Sequence, residues 1–285
     1  MDDESRVTEP RQNGPDLDPV PLLPPLSLPA VLEQVRARTP ARILTGRAGA
    51  AYRTTTWLEL RRDHAAARDA VWAELDLAGD LGAAFLAEWG LFEVASLAHT
   101  KQEFLLRPDL GRSLAAVARA EVVRRCPAGA DLQVAIADGL SATAVQAQVP
   151  TLLPLLAGEA HRRGWRFGQP FFIRHGRVGL LNEIGEIIDP AVAVLLIGER
   201  PGLATALSLS AYMAYRPRNG HDDSRRNLIS NIHARGVSPD QAAPRIAELA
   251  AQMIRLATSG TAVKEQAIPT AGLTGSPLMG RCLDD

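Results

Sequence analysis

Seven consecutive apolar residues, Ala191 to Ile197, stop at Gly198-Glu199-Arg200-Pro201-Gly202. No other feature limits the fold as strongly. A strand with one wet face alternates apolar and polar residues, whereas an unbroken apolar run predicts a strand covered on both faces. Val134–Ala137, ending in Asp138-Gly139-Leu140-Ser141, and Phe171–Ile173, ending in Arg174-His175-Gly176-Arg177, repeat the pattern. Ala211–Tyr215 supplies a fourth run. Helical patterns separate or follow these strands. Residues 142–163 predict a helix that Pro150 and Pro154 kink or divide, and 180–188 predict a short one. Ser238-Pro239-Asp240-Gln241 opens a long helix with a capping box and a first-turn proline. Ile246, Leu249, Met253 and Leu256 form its core stripe, and Gly260 ends it. Strands of this kind with helices between them predict a parallel sheet covered on both sides.

The first part of the chain reads as helical. Residues 30–38 form a helix stopped by Pro40, and Gly46-Arg47-Ala48-Gly49 forms a loop. Thr56 with Glu59 three residues on predicts a second capping box. Trp57, Leu60, Val71 and Leu75 give that helix an apolar side. Residues 82–89 and 110–125 predict two further helices. The expected architecture is therefore α/β: a helical N-terminal domain (28–126) followed by a Rossmann-like parallel-sheet C-terminal domain (127–265). A proline-rich tail at 1–27, expected to be disordered, precedes them, and a flexible tail at 266–285 follows.

Several function classes are excluded at this level. The net charge of −1 gives no basic field for nucleic acid, and 5% aromatic residues leave little for base stacking. No apolar run is long enough to span a bilayer. The acidic, proline-rich N-terminus lacks the pattern of a secretory signal. Cys126 and Cys282, far apart in sequence, fit a reducing compartment better than a disulfide framework. A cytoplasmic protein is expected. No Gly-x-Gly-x-x-Gly, phosphate-binding loop, zinc spacing or Gly-x-Ser-x-Gly is present, so neither a catalytic set nor a metal site is expected.

In open α/β sheets ligands sit beyond the carboxyl ends of the strands. The loops at Asp138–Ser141, Arg174–Val178 and Gly198–Gly202 are therefore candidates for a composite site. The glycines are expected to let the backbone approach a ligand and Pro201 to stiffen the exit. Plainer roles exist for each. Asp138 can cap the next helix, Glu199 and Arg200 can form a surface ion pair, and Arg174 and Arg177 can be solvated. His175 and His233 can be ordinary surface or core histidines.

Seven segments in order resemble the small (light) subunit of ethanolamine ammonia-lyase. They are Ala41-Arg42-Ile43 through Gly46-Arg47-Ala48-Gly49, Leu106-Arg107-Pro108-Asp109-Leu110-Gly111-Arg112, Ala137–Ser141, and Pro170–Val178. Glu183-Ile184-Gly185-Glu186-Ile187, Ile197–Leu203 and Ile229-Ser230-Asn231-Ile232 complete the set. The resemblance implies a carbon–nitrogen lyase that converts ethanolamine to acetaldehyde and ammonia by adenosylcobalamin radical chemistry. It implies a large-subunit partner that carries the substrate, and a hexamer of large–small pairs. It assigns cobalamin contacts to Val178, Glu199 and Leu228, with Glu199 accepting from corrin amides and Val178 offering an apolar wall. Leu228 and Leu207 depart from the family, where a cysteine and an acid can stand. Those departures leave open a non-catalytic scaffold that retains the fold. A stand-alone small-molecule binder or dehydrogenase-like protein is a third class, without a nucleotide fingerprint to support it. Asp-x-His-x-x-Gly is absent, in keeping with a cobalamin that retains its own base. The N-terminus does not resemble an amphipathic segment for targeting to a bacterial microcompartment.

Overall fold

The computed structural model describes residues 30–39, 41–43 and 45–265. Both expected tails and Cys282 lie outside them, as does Pro40. The chain divides into two compact units, 1–44 and 45–285. In the first, Arg36 in the last turn of helix α1 (Ala30–Ala37) donates from its side chain to the Ile43 carbonyl at 3.3 Å.

The second unit opens with a small hairpin, β1 (Arg47–Ala48) and β2 (Ala51–Tyr52), and then α2 (Thr54–Trp72), α3 (Leu77–Leu81) and α4 (Ala83–Trp89). Helix α2 starts two residues before the expected cap. Thr56 is buried inside its first turn, and Arg53 stands at the N-cap without a side-chain bond. Its carbonyl takes the Trp57 N–H instead, so Thr56 is not a cap. Of the side expected to be apolar, Trp57 is exposed, Leu60 and Val71 are half-buried, and Leu75, which lies beyond the helix end, is buried.

Strand β3 (Phe92–Ala95), α5 (Lys101–Leu106) and α6 (Ala116–Arg125) follow. Then come β4 (Leu132–Ala137), α7 (Ala142–Arg162), β5 (Phe171–Arg174), α8 (Leu180–Ile188) and β6 (Val192–Gly198). The last elements are β7 (Leu209–Tyr215), β8 (Asn227–Ile232) and α9 (Pro239–Leu256). Helix α7 runs through Pro150 and Pro154 undivided. Helix α9 has the expected capping box at Ser238 and Gln241.

The main sheet has the order β3-β5-β4-β6-β7-β8. Strands β3, β5, β4 and β6 are parallel, with Ala135 beside both Phe171 and Leu195. Strands β7 and β8 are antiparallel additions. The fold is thus α/β with a mixed sheet, which corrects the all-parallel expectation. The sheet also begins inside the stretch expected to be helical, because its edge strand is Phe92–Ala95. That strand is four residues long, too short to display a clear period against the helices around it.

Alternation along the central strands splits the core in two. Val134, Ile136, Phe172, Val194, Leu196 and Met213 face α7 and α9. Ala135, Ala137, Phe171, Ile173, Leu195 and Ile197 join residues of α6 and α8 on the other side. Phe171 and Phe172 are fully buried, each contributing about 1.5–3 kcal/mol by the area removed from water. The outer antiparallel strand β8 has an uncovered side, whereas β7 is buried apart from half-buried Tyr212 and Tyr215. Ile229 and Ile232 of β8 are buried while Leu228 and Ser230 are exposed. The parallel strands need two covered faces; the antiparallel extension tolerates an open one. That open face is where a cavity forms.

Candidate ligand-binding cavity

A cavity of about 440 Å³ lies at the carboxyl ends of β4, β5 and β6 and continues over β7 and the open side of β8. Its wall includes Gly139 and Leu140 after β4, Arg177 and Val178 after β5, and Glu199 and Arg200 after β6. Tyr212 from β7, Leu228 and Ser230 from β8, and Phe104 from α5 complete the apolar and polar surfaces. Val178, Glu199 and Leu228, the three residues singled out in the sequence, therefore surround one space although they come from three separate elements.

Glu199 is the best-anchored of them. Two serine hydroxyls donate to its carboxylate, Ser208, just before β7, at 2.8 Å to Oε2 and Ser210 of β7 to Oε1. The Asn231 N–H donates to Oε1 at 3.0 Å. Asn231 has a left-handed backbone, with φ of 60°. Its side-chain oxygen meets His233 Nε2 at 2.7 Å, and the Arg235 N–H donates to His233 Nδ1 at 3.2 Å. The imidazole thus carries its proton on Nε2. Burial pushes the His233 pKa down against the pull of Glu199. Ser208, Ser210, Asn231 and His233 thus position Glu199. No Glu199–Arg200 ion pair exists; Arg200 is exposed and makes no ion pair among the described residues.

The glycines have a different role from the one expected. A Cβ on Gly198 would lie 2.0 Å from the Ser141 carbonyl oxygen, and one on Gly139 would lie 2.4 Å from the Gly198 carbonyl oxygen. Gly139 also has φ of 54°. The Leu140 N–H donates to the Gly198 carbonyl at 3.0 Å. The glycines let two loops pack backbone against backbone, which shapes the floor of the cavity.

Asp138 is buried and is not the helix cap. Ser141 caps α7 by accepting from the Ala144 N–H. Asp138 accepts from the Gly176 N–H at 3.2 Å. Burial raises its pKa, opposed by the positive charge of Lys101 and by hydrogen bonds from the His175–Gly176 backbone. Lys101 is also buried, and its ammonium donates to the Gly139 carbonyl at 3.3 Å. Burial lowers its pKa, opposed by Asp138 and Glu74. This lysine, invisible as a site residue in the sequence, supports the β4 loop from behind.

Arg174 and His175 turn away from the cavity. Arg174 makes a two-pronged pair with Glu93 and reaches the Leu75 carbonyl at 3.0 Å. His175 stacks on Phe104 at 5.7 Å and binds the Ala98 carbonyl at 3.0 Å through Nδ1. Leu207 has an exposed side chain; its backbone binds Gln148 and Thr205. Among the described residues no group of His, Cys, Asp and Glu could hold a metal ion, and no helix is long and apolar enough to cross a membrane.

Comparison with known proteins identifies the fold's relatives. The family profile described as ethanolamine ammonia-lyase light chain (EutC) matches residues 29–264. The ethanolamine ammonia-lyase small subunit of Clostridium acetobutylicum is 36% identical over 233 residues, spanning 82% of this chain and 94% of that protein. The small subunit of Clostridium perfringens is 38% identical, with 81% and 76% covered. That of Fusobacterium nucleatum is 39% identical, with 80% and 76% covered. With the match extending across the sheet, its helices and every loop of the cavity, the chain belongs to the ethanolamine ammonia-lyase light-chain family.

Proposed function

We propose that this chain is the small subunit of an adenosylcobalamin-dependent ethanolamine ammonia-lyase, forming one wall of a cobalamin site that a large subunit closes. The observation that carries the reading is the convergence of Val178, Glu199 and Leu228 on one cavity. A corrinoid presents a broad apolar ring fringed with amides. Val178, Tyr212, Leu228 and Phe104 offer apolar surface to such a ring, and Glu199 and Ser230 offer polar partners at its edge. Three donors already hold the Glu199 carboxylate, which leaves one of its about four acceptor positions for an amide N–H. The space is smaller than a whole corrinoid, so another chain supplies the remaining surface.

When bound, adenosylcobalamin would supply the radical chemistry. This chain's residues bind and orient: Val178 and Leu228 exclude water, and the serine–Asn231 frame fixes Glu199. None of them forms a catalytic set, which suits a subunit whose substrate lies elsewhere. Residues 127–265 would provide most of the cofactor wall, with Phe104 added from the preceding segment. The relatives' designation as small subunits supports a large-subunit partner; assembly into a hexamer of large–small pairs rests on the family resemblance alone. Exposed Trp57, Leu58, Trp72, Val117 and Val123 provide apolar surface for such an assembly.

The test is a spectroscopic titration of the co-purified large–small complex with hydroxocobalamin. Val178→Asp and Leu228→Asp place a charge on the apolar wall and are expected to weaken binding about tenfold or more. Unchanged affinity in both variants would remove the cavity from the cofactor site.

A further inference from the structure

The turn after β8 holds a buried histidine that does not itself line the cavity. His233 is 4% exposed and lies two residues beyond Asn231, whose N–H donates to the Glu199 carboxylate at 3.0 Å. Backbone hydrogen bonds close the turn at three points. The His233 N–H donates to the Val237 carbonyl at 3.0 Å, the Gly236 N–H to the His233 carbonyl at 2.9 Å, and the Val237 N–H to the Asn231 carbonyl at 2.9 Å. The turn needs glycine at 236, because a Cβ there would lie 2.6 Å from the Asn231 side-chain nitrogen and closer still to its carbonyl oxygen. Asn231 is thereby clamped in its left-handed conformation between Gly236 and the imidazole.

The ring matches its surroundings only when neutral. Nε2 donates to the Asn231 side-chain oxygen at 2.7 Å, and Nδ1 accepts from the Arg235 N–H at 3.2 Å. A second proton, on Nδ1, would face that N–H donor against donor, and the Arg235 bond would be lost. Two charged groups act on the ring. Glu199, at the end of β6, favours the imidazolium, and Arg235, on the same turn, opposes it. Burial acts more strongly than either and sets the direction, downward from 6.5. The unfolded chain therefore takes up this proton first. The ring's contribution is complete above 6.5 and is lost as pH falls through the lowered folded value. Opening the turn withdraws the Asn231 N–H from Glu199, which keeps only the Ser208 and Ser210 hydroxyls. A hydroxyl rotates with its side chain, whereas the Asn231 N–H is fixed by the backbone. Its loss frees the carboxylate to swing.

We infer that His233 is a positioning residue for Glu199, acting through Asn231 in its neutral form alone, so that the acceptor edge of the cavity loosens as pH falls. The inference rests on the corrinoid reading only for what that edge holds.

The experiment has two arms. In the full chain alone, nitrogen NMR of the histidine rings and of the Asn231 amide is followed from about pH 8 to about pH 5. The His233 ring is expected to carry its proton on Nε2 at the upper end, and the Asn231 amide signal to shift in step with the ring below 6.5. In the large–small complex, cyanocobalamin is titrated spectroscopically over the same range. Wild-type affinity is expected to fall about fivefold or more toward the acidic end. His233→Leu, which neither donates nor accepts, should bind about tenfold more weakly than wild type at the upper end and show no such fall. His233→Gln places an amide N–H close to the position of Nε2 and cannot titrate. It should rescue most of the loss and flatten the pH profile. His64→Gln, at an exposed position on α2, is the control and should keep the wild-type profile. An Asn231 amide that ignores the titration of His233, a ring proton on Nδ1, or a His233→Gln profile identical to that of wild type would overturn the inference. Coupled titration of His233 and Asn231 with no corrinoid binding in the complex would sustain the positioning role and defeat the cofactor reading. Should His233→Leu fail to fold, the wild-type NMR titration and the His233→Gln profile still decide the question.

Discussion

Glu199→Ala tests the anchoring of the cavity's one acidic wall residue. The substitution removes the acceptor for Ser208, Ser210 and the Asn231 N–H together. A buried hydrogen bond to a charged group contributes about 1.5–3 kcal/mol. Glu199 is only half buried, and water entering the cavity can replace it for the donors, so the total loss is expected to be about 2 kcal/mol. Ser210→Ala, which removes one donor, should cost about 1 kcal/mol. Because both residues share one interaction, the double variant should fall short of additivity by about 1 kcal/mol. Urea unfolding of the purified chain measures all three. In the large–small complex, Glu199→Ala should also weaken hydroxocobalamin binding. Simple additivity would refute the anchoring, since it would show that Ser210 and Glu199 act independently. Full stability of Glu199→Ala would show that the carboxylate frame contributes nothing to the fold.

Four further expectations concern the fold and the supports of the site. Gly198→Ala should destabilise by about 2 kcal/mol or more through its clash with the Ser141 carbonyl. Gly158→Ala, in α7 with no heavy atom within 4 Å of the added carbon, should instead stabilise by about 0.5–1 kcal/mol, both read as shifts in denaturation midpoint. Asp138 has its folded pKa raised by burial above the ordinary 3.8. The folded chain therefore holds a proton that the unfolded chain has released, and stability declines as pH rises above about 4 through the folded pKa. Asp138→Asn should remove that decline from a midpoint-against-pH curve, and an unaltered curve would show that Asp138 does not titrate in this way. Ser238→Ala should cost about 1 kcal/mol by unravelling the α9 capping box, visible as lower thermal stability.

The sequence was most legible where a segment carried a strong local signal. The apolar runs at Val134, Phe171 and Ala191 became β4, β5 and β6, and the Ser238 box became the start of α9. Phe92–Ala95 was missed because a four-residue edge strand resembles the helical sequence around it. Strand β8 was missed because its pattern of one buried residue in three fits neither a half-buried strand nor a helix well. These two edges decide the sheet: the first draws the supposed helical segment into it, and the second makes the open face. At the site, Val178, Glu199 and Leu228 were named through the family resemblance, and geometry then placed them around one space. Ser208, Ser210, Asn231 and Lys101 escaped notice because each acts through a partner 9 to 38 positions away. The motif segment Ile229–Ile232 contained Asn231, yet its role depends on a left-handed backbone that no local pattern announced. Cys126 is buried, and burial pushes its thiol up to about 12.

The central claim is that this chain completes a cobalamin-dependent lyase with a second chain. The most direct measurement is acetaldehyde formation from ethanolamine and adenosylcobalamin by the large subunit alone, by this chain alone, and by the two co-expressed. The account predicts turnover only with both chains present. Turnover by the large subunit at the same rate without this chain, or a stable complex that binds adenosylcobalamin and yields no acetaldehyde, would contradict it.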